Sequence, residues 1–201
     1  MEKQTLEKSS NGIYKEKGST FHSILEPVSS QSHIKSLLIS IKEEFPKANH
    51  ICYAYRIKNG DALNEYYSDA GEPNGSAGKP ILNMLKRTKL VNSAIFVVRF
   101  FGGTKLGIAG LINAYSNGAK DAIDNAELTL WADTKILCMN YPYKFKGLMN
   151  SILSNNHVKV IKEDFGEEIH SQLKVDVEVI DKLIQDIKEM SLGSIVIGEE
   201  K

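Results

Sequence analysis

The sequence predicts an α+β protein of two domains, residues 1–133 and 134–201, and three observations carry that reading. The run Ala94–Phe101 (AIFVVRFF) has the β-branched and aromatic content of a buried central strand, and a Gly-rich loop lies on either side of it. After residue 133 the pattern becomes strand, helix, strand, strand, helix, strand, the order of a ferredoxin-like split βαβ unit. The charge changes along with the pattern. Residues 69–120 carry seven Lys/Arg against two Asp/Glu, whereas residues 121–201 carry nine against fifteen, so a formal net charge of zero hides a basic and an acidic part.

Within the first domain, Tyr14–Pro27 reads as an opening strand. Ile34, Leu37, Leu38, Ile41 and Phe45 recur at helical spacing, with Pro46 as the stop. Ile51–Ile57 alternates as a half-buried strand, Gly60 and Asp61 mark a turn, and Glu65–Ser68 gives a further short strand. The loop Asp69–Gly78 (DAGEPNGSAG) leads to Pro80 at a first helical position, and the loop after Phe101 (GGTKLGIAG) leads to a helix from about Leu111 to Ile123. In the second domain, strands are expected at Lys135–Tyr143, Val158–Glu163, Ile169–Val179 and Ser194–Ile197. Helices are expected at Lys146–Asn155 and Ile180–Met190, the latter capped by Gly193.

With 42% hydrophobic and 25% charged residues, the composition is that of a globular chain and excludes disordered, collagenous and coiled-coil classes. The longest apolar stretch, Ser93–Phe101, is interrupted by Arg99 and is too short to span a bilayer. Met1–Asn11 contains no apolar signal core. Cys52 and Cys138 form no CxxC and lie in apolar, strand-like surroundings, so both are expected to be buried, reduced thiols of a cytoplasmic protein.

Eight of the fifteen glycines fall between Gly71 and Gly118. Such loops ahead of helices suit phosphate binding through backbone N–H groups, and they equally suit tight turns that pack helices on a sheet. Neither loop has the spacing GxxxxGK[ST] or GxGxxG. Together they hold a dense polar set that includes Asp69, Glu72, Lys79, Arg99 and Lys105. The two acids could form a carboxylate site or could cap loops and pair with Arg99 or Lys105; an Arg inside a buried strand requires a partner or a function.

The block SDAGEPNGSAGKPILNML (Ser68–Leu85), followed by VVRFFGGTKLGIAGLINAY (Val97–Tyr115), closely resembles the signature of the IMPACT/YigZ family, with KGSTF (Lys17–Phe21) and the segment around His50 in support. The resemblance implies a first domain similar to domain IV of elongation factor G and to GHMP-type kinases, and a second similar to domain V of the same factor. The eukaryotic branch of that family is a translation regulator, which binds the activator of the starvation-responsive initiation-factor kinase. Three positions depart from the family pattern. Ala70 stands where a second acid is usual, which removes an acidic metal pair; Ala109 replaces a glycine; and Asn113 stands where an arginine is common.

These readings lead to the expectation of a non-catalytic binding protein acting near translation. Its basic, Gly-lined surface would meet RNA, the ribosome or a translation-factor partner, without metal, cofactor, membrane or sequence-specific DNA. Lys79, Arg99 and Lys105 are the candidate phosphate contacts, and Asp69, Glu72, Gly102, Gly103, Gly107 and Tyr115 complete the candidate site. Phe100, Phe101 and Tyr115 would stack bases or pack the core. The alternatives are a GHMP-like nucleotide-binding enzyme and a hydrolase using His22, His50, Asp69 and Glu72.

Overall fold

The computed structural model describes residues 2–60 and 62–199, so Asp61 of the expected turn lies outside the described residues. The chain divides into two compact units, Met1–Trp131 and Ala132–Lys201.

The first unit runs β1 (Gln4–Leu6), β2 (Ser10–Glu16), β3 (Ser19–Pro27), α1 (Gln31–Glu44), β4 (His50–Asn59), β5 (Ala62–Ser68), α2 (Gly78–Arg87), β6 (Ser93–Phe100), α3 (Gly107–Asp124) and β7 (Leu128–Leu130). Five strands form an antiparallel sheet in the order β2-β3-β6-β4-β5, while β1 pairs with β7. The apolar run of the sequence is thus the middle strand, and Ser93–Val98 are fully buried. Strand alternation gives each face of the sheet its own core. Ile95 and Val97 join Phe21, Cys52, Ala54 and the inner sides of α2 and α3. Ala94, Phe96 and Val98 join Tyr55, Ile57 and the Ile34–Ile41 side of α1.

Three expectations are corrected. The opening strand is a hairpin, because Lys17 and Gly18 take φ 46° and 80° and join β2 to β3 as a two-residue type I′ turn. The segment Ile51–Ile57 is buried on both faces rather than half-buried, since β4 lies between β6 and β5 with helices on either side. Helix α3 starts four residues early, at Gly107, so Gly107–Gly110 form its first turn and the loop is only Phe101–Leu106.

The second unit runs β8 (Thr134–Tyr141), α4 (Lys146–Asn155), β9 (Lys159–Phe165), β10 (Ile169–Asp176), α5 (Ile180–Met190) and β11 (Val196–Glu199). The sheet order β11-β8-β10-β9 is that of a split βαβ unit. Leu137, Met139, Ile169 and Leu173 meet Met149, Leu153 and Leu183 in a separate core. The expected strand to Val179 ends at Asp176, where Val177–Val179 tighten into a 3₁₀ turn. Cys138 is half-buried rather than buried.

Candidate functional site

Both Gly-rich loops leave the sheet at the same end, where β5 runs into residues 69–77 and β6 runs into residues 101–106. Helices α2 and α3 therefore begin side by side, with the positive ends of their dipoles at that end.

Asp69 organises the first loop. Its Oδ2 accepts from the Gly75 N–H at 2.8 Å, and its Oδ1 from the N–H groups of Ala77 and Gly78 at 3.0 and 2.8 Å. The carboxylate thus caps α2 from outside, in the position an external phosphate would take at a helix N-terminus. Ala70 and Gly71 follow with φ 46° and 88°, turning the chain so that the Ala70 carbonyl accepts from Nδ1 of His50 at 2.9 Å. The left-handed conformation costs Ala70 about 1–2 kcal/mol.

Glu72 turns inward. Its side chain is 4% exposed, and Oε1 accepts from the Arg99 guanidinium at 2.6 Å and from the Tyr115 hydroxyl at 2.7 Å. Arg99 is 6% exposed and lies between two rings, its guanidinium carbon 5.6 Å from the centroids of Phe21 and Phe101. Its Nε is buried without a hydrogen-bond partner among the described residues. Cys52 extends the cluster: its thiol donates to the Asp69 carbonyl at 3.0 Å, and its sulfur lies 3.4 Å from the Tyr115 hydroxyl. Burial pushes the Cys52 thiol up to about 12 and raises the Tyr115 hydroxyl far above its ordinary value. Both groups stay neutral at physiological pH.

The expected pairing of Glu72 with Arg99 or Lys105 is therefore made with Arg99. Placement separates the remaining candidates. Lys79 and Lys105 are exposed, but Arg99 is withdrawn from solvent by its ion pair and its two rings, so its guanidinium is not presented to a phosphate at the surface. Tyr115 is fully buried with its ring 5.1 Å from that of Phe21, and so packs the core. Phe100 packs near Phe45 and His22 on the α1 face, whereas Phe101 is 47% exposed. Gly102 serves packing: an added Cβ would lie 1.8 Å from the Gly18 carbonyl carbon, and its N–H donates to Ser19 Oγ. Gly103 and Gly107, at φ 86° and 70°, face open space.

The hydrolase set does not assemble. His22 faces α1, on the side of the sheet opposite Glu72, and both carboxylates are committed to internal donors. Among the described residues, no group of three or more His, Cys, Asp or Glu could hold a metal, and no helix is long and apolar enough to cross a membrane. Sequence reasoning missed Cys52 as a member of the cluster. The signal was strand alternation, which puts His50 and Cys52 on the Arg99 face through the pairs His50–Arg99 and Cys52–Val97.

Residues 17–123 match the model of the Impact N-terminal domain, a span from the β2–β3 turn nearly to the end of α3. An IMPACT family member of Haemophilus influenzae is 31% identical over 90% of this chain and 88% of its own length. The IMPACT family member YigZ of Escherichia coli is 27% identical over 89% of this chain and 88% of its own. A solved crystal structure of a hypothetical protein superposes with a TM-score of 0.69 at 24% identity, covering 100% of this chain and 98% of that one, so the whole fold is shared. With the loops of Asp69 and Arg99 inside the matched span and the likeness running through both units, the chain belongs to the IMPACT family.

Proposed function

We propose that the first unit binds RNA, free or in the ribosome, through its phosphate backbone, and that the protein acts in translation without chemistry of its own. The observation that carries this reading is the fate of the two acids between residues 69 and 120. Asp69 caps α2 and Glu72 is buried against Arg99 and Tyr115, so the field this stretch presents to solvent is basic. Lys79 and Lys105 are exposed and have no ion partner among the described residues. The uncapped start of α3 adds backbone donors beside Lys105, and exposed Phe101 offers one stacking surface.

The family resemblance supports the setting. Its eukaryotic branch regulates translation, and the likeness to domains IV and V of elongation factor G, taken with reduced cysteines, favours a cytoplasmic protein that meets the ribosome. A GHMP-like nucleotide site is disfavoured, because Asp69 already fills the N-terminus of α2 where a phosphate would sit. Sedimentation through sucrose with purified ribosomes tests the reading. Wild type is expected in the ribosomal fractions at low salt, and the Lys79→Glu/Lys105→Glu double variant at the top of the gradient. Wild type remaining at the top would contradict it.

A further inference from the structure

A groove runs along α3, closed on one side by the C-terminal half of α2, and encloses about 580 Å³. Its floor is apolar, with Met84 and Ile123 both less than one-tenth exposed. Its α3 wall carries Ile112, which is 41% exposed, and one turn earlier on the same side Ile108 is 61% exposed. Two β-branched apolar side chains exposed four residues apart on one helix mark a contact surface more than a solvated face.

The polar groups of the groove are also unspent. Asn113, Ser116 and Asn117 make no side-chain hydrogen bond among the described residues, and Asn113 and Asn117 stand one turn apart on the wall. Arg87 has no ion partner there either, and Lys120 on the opposite rim is tied to Asp124. The lining includes no aromatic side chain, so it offers no stacking platform for bases, and the two isoleucines call for apolar partners.

We propose that this groove docks an acidic amphipathic helix of a protein partner. Apolar side chains of the partner at i, i+3 or i+4, and i+7 would cover Ile108, Ile112 and Met84, while a carboxylate would face Arg87. The charge argument rests on Arg87: Lys120 is already paired with Asp124, so Arg87 is the lining cation with no ion partner among the described residues, and an acidic side chain complements it. The wall from Ala109 to Asp124 is about 22 Å long at 1.5 Å per residue, which matches a partner helix of about 15 residues. This site is separate from the proposed RNA surface and stands or falls without it.

Selection of a random 16-residue peptide library on the full chain tests the proposal. The enriched peptides are expected to carry an excess of Asp and Glu with apolar residues at helical spacing. The best of them, labelled and titrated by fluorescence anisotropy, is expected to lose at least tenfold in affinity to Ile112→Gln and to Arg87→Glu, both at exposed positions. Lys42→Glu on α1, the same change of charge on the opposite face of the sheet, is expected to leave affinity within twofold. Enrichment without an acidic excess, affinity unchanged in both groove variants, or displacement of the peptide by single-stranded RNA would each overturn the proposal, the last in favour of a nucleic-acid groove.

Discussion

Arg99 and Glu72 meet at 2.6 Å with side chains only 7% and 4% exposed, so the one arginine of the central strand is neutralised inside the fold. Removing a single partner strands a buried charge. Arg99→Met and Glu72→Leu are each expected to cost about 3–5 kcal/mol. The double variant should cost well below the sum, because no charge is then left unpaired. Urea unfolding read through Trp131, the single tryptophan and a member of the first unit, measures all three.

The glycines of the second loop are expected to separate by role. Gly102→Ala drives a Cβ into the Gly18 backbone and should either prevent folding or cost several kcal/mol, since neither backbone can give way without opening the β2–β3 turn. Gly103→Ala meets open space and should cost about 1–2 kcal/mol for its left-handed conformation alone. Chemical denaturation of both variants decides this.

The two cysteines are expected to differ in reactivity. Cys52 is fully buried with its thiol pushed up to about 12, whereas Cys138 is half-buried. Alkylation at pH 8 followed by peptide mapping should label Cys138 in the native protein and Cys52 only when the first unit unfolds.

How far the sequence reached follows from what kind of signal each feature leaves. The middle position of β6, helices α4 and α5 at their observed bounds, and a pairing of Glu72 with Arg99 or Lys105 were legible, because burial, helical period and the scarcity of acids each leave a local pattern. The β2–β3 turn was missed since Lys17 at φ 46° is not a residue that advertises a positive φ. The first turn of α3 was hidden by Gly107 and Gly110, which read as loop although the helix begins at Gly107, entered at φ 70°, and includes Gly110. That Arg99 serves the pairing and not a phosphate was hidden, because its two flanking rings come from residues 21 and 101, an arrangement visible only once β3 lies beside β6. The groove of α2 and α3 was illegible for the same reason.

In the second unit, Lys146 Nζ donates to both oxygens of Glu163 at 2.6 Å, and this hydrogen bond holds the Glu163 carboxyl below the usual carboxylate range and raises Lys146. A lowered carboxyl contributes stability that is full above its unfolded value, about 4.3, and is lost as pH falls through the folded value. A raised lysine contributes stability that is full below its unfolded value, about 10.4, and is lost as pH rises through the folded value. Glu163→Gln is therefore expected to lower stability by about 0.2–1 kcal/mol between those limits, and to flatten the acid limb. Thermal unfolding across that pH range, followed through the methyl signals of Leu173 and Val175 in the core of the second unit, checks it.

The claim that the loop end of the first unit is an RNA surface is tested most directly by titrating labelled single-stranded RNA against the protein at several salt concentrations. With Arg99 internal, Lys79 and Lys105 are the candidate phosphate contacts that remain, and two neutralised phosphates predict a log-log salt slope of about −1.4. Lys105→Glu should weaken binding to all sequences alike, and should make the slope shallower by about 0.7 while leaving the unfolding midpoint in place. No binding by wild type at low salt, or a slope and affinity indifferent to Lys105, would contradict the account.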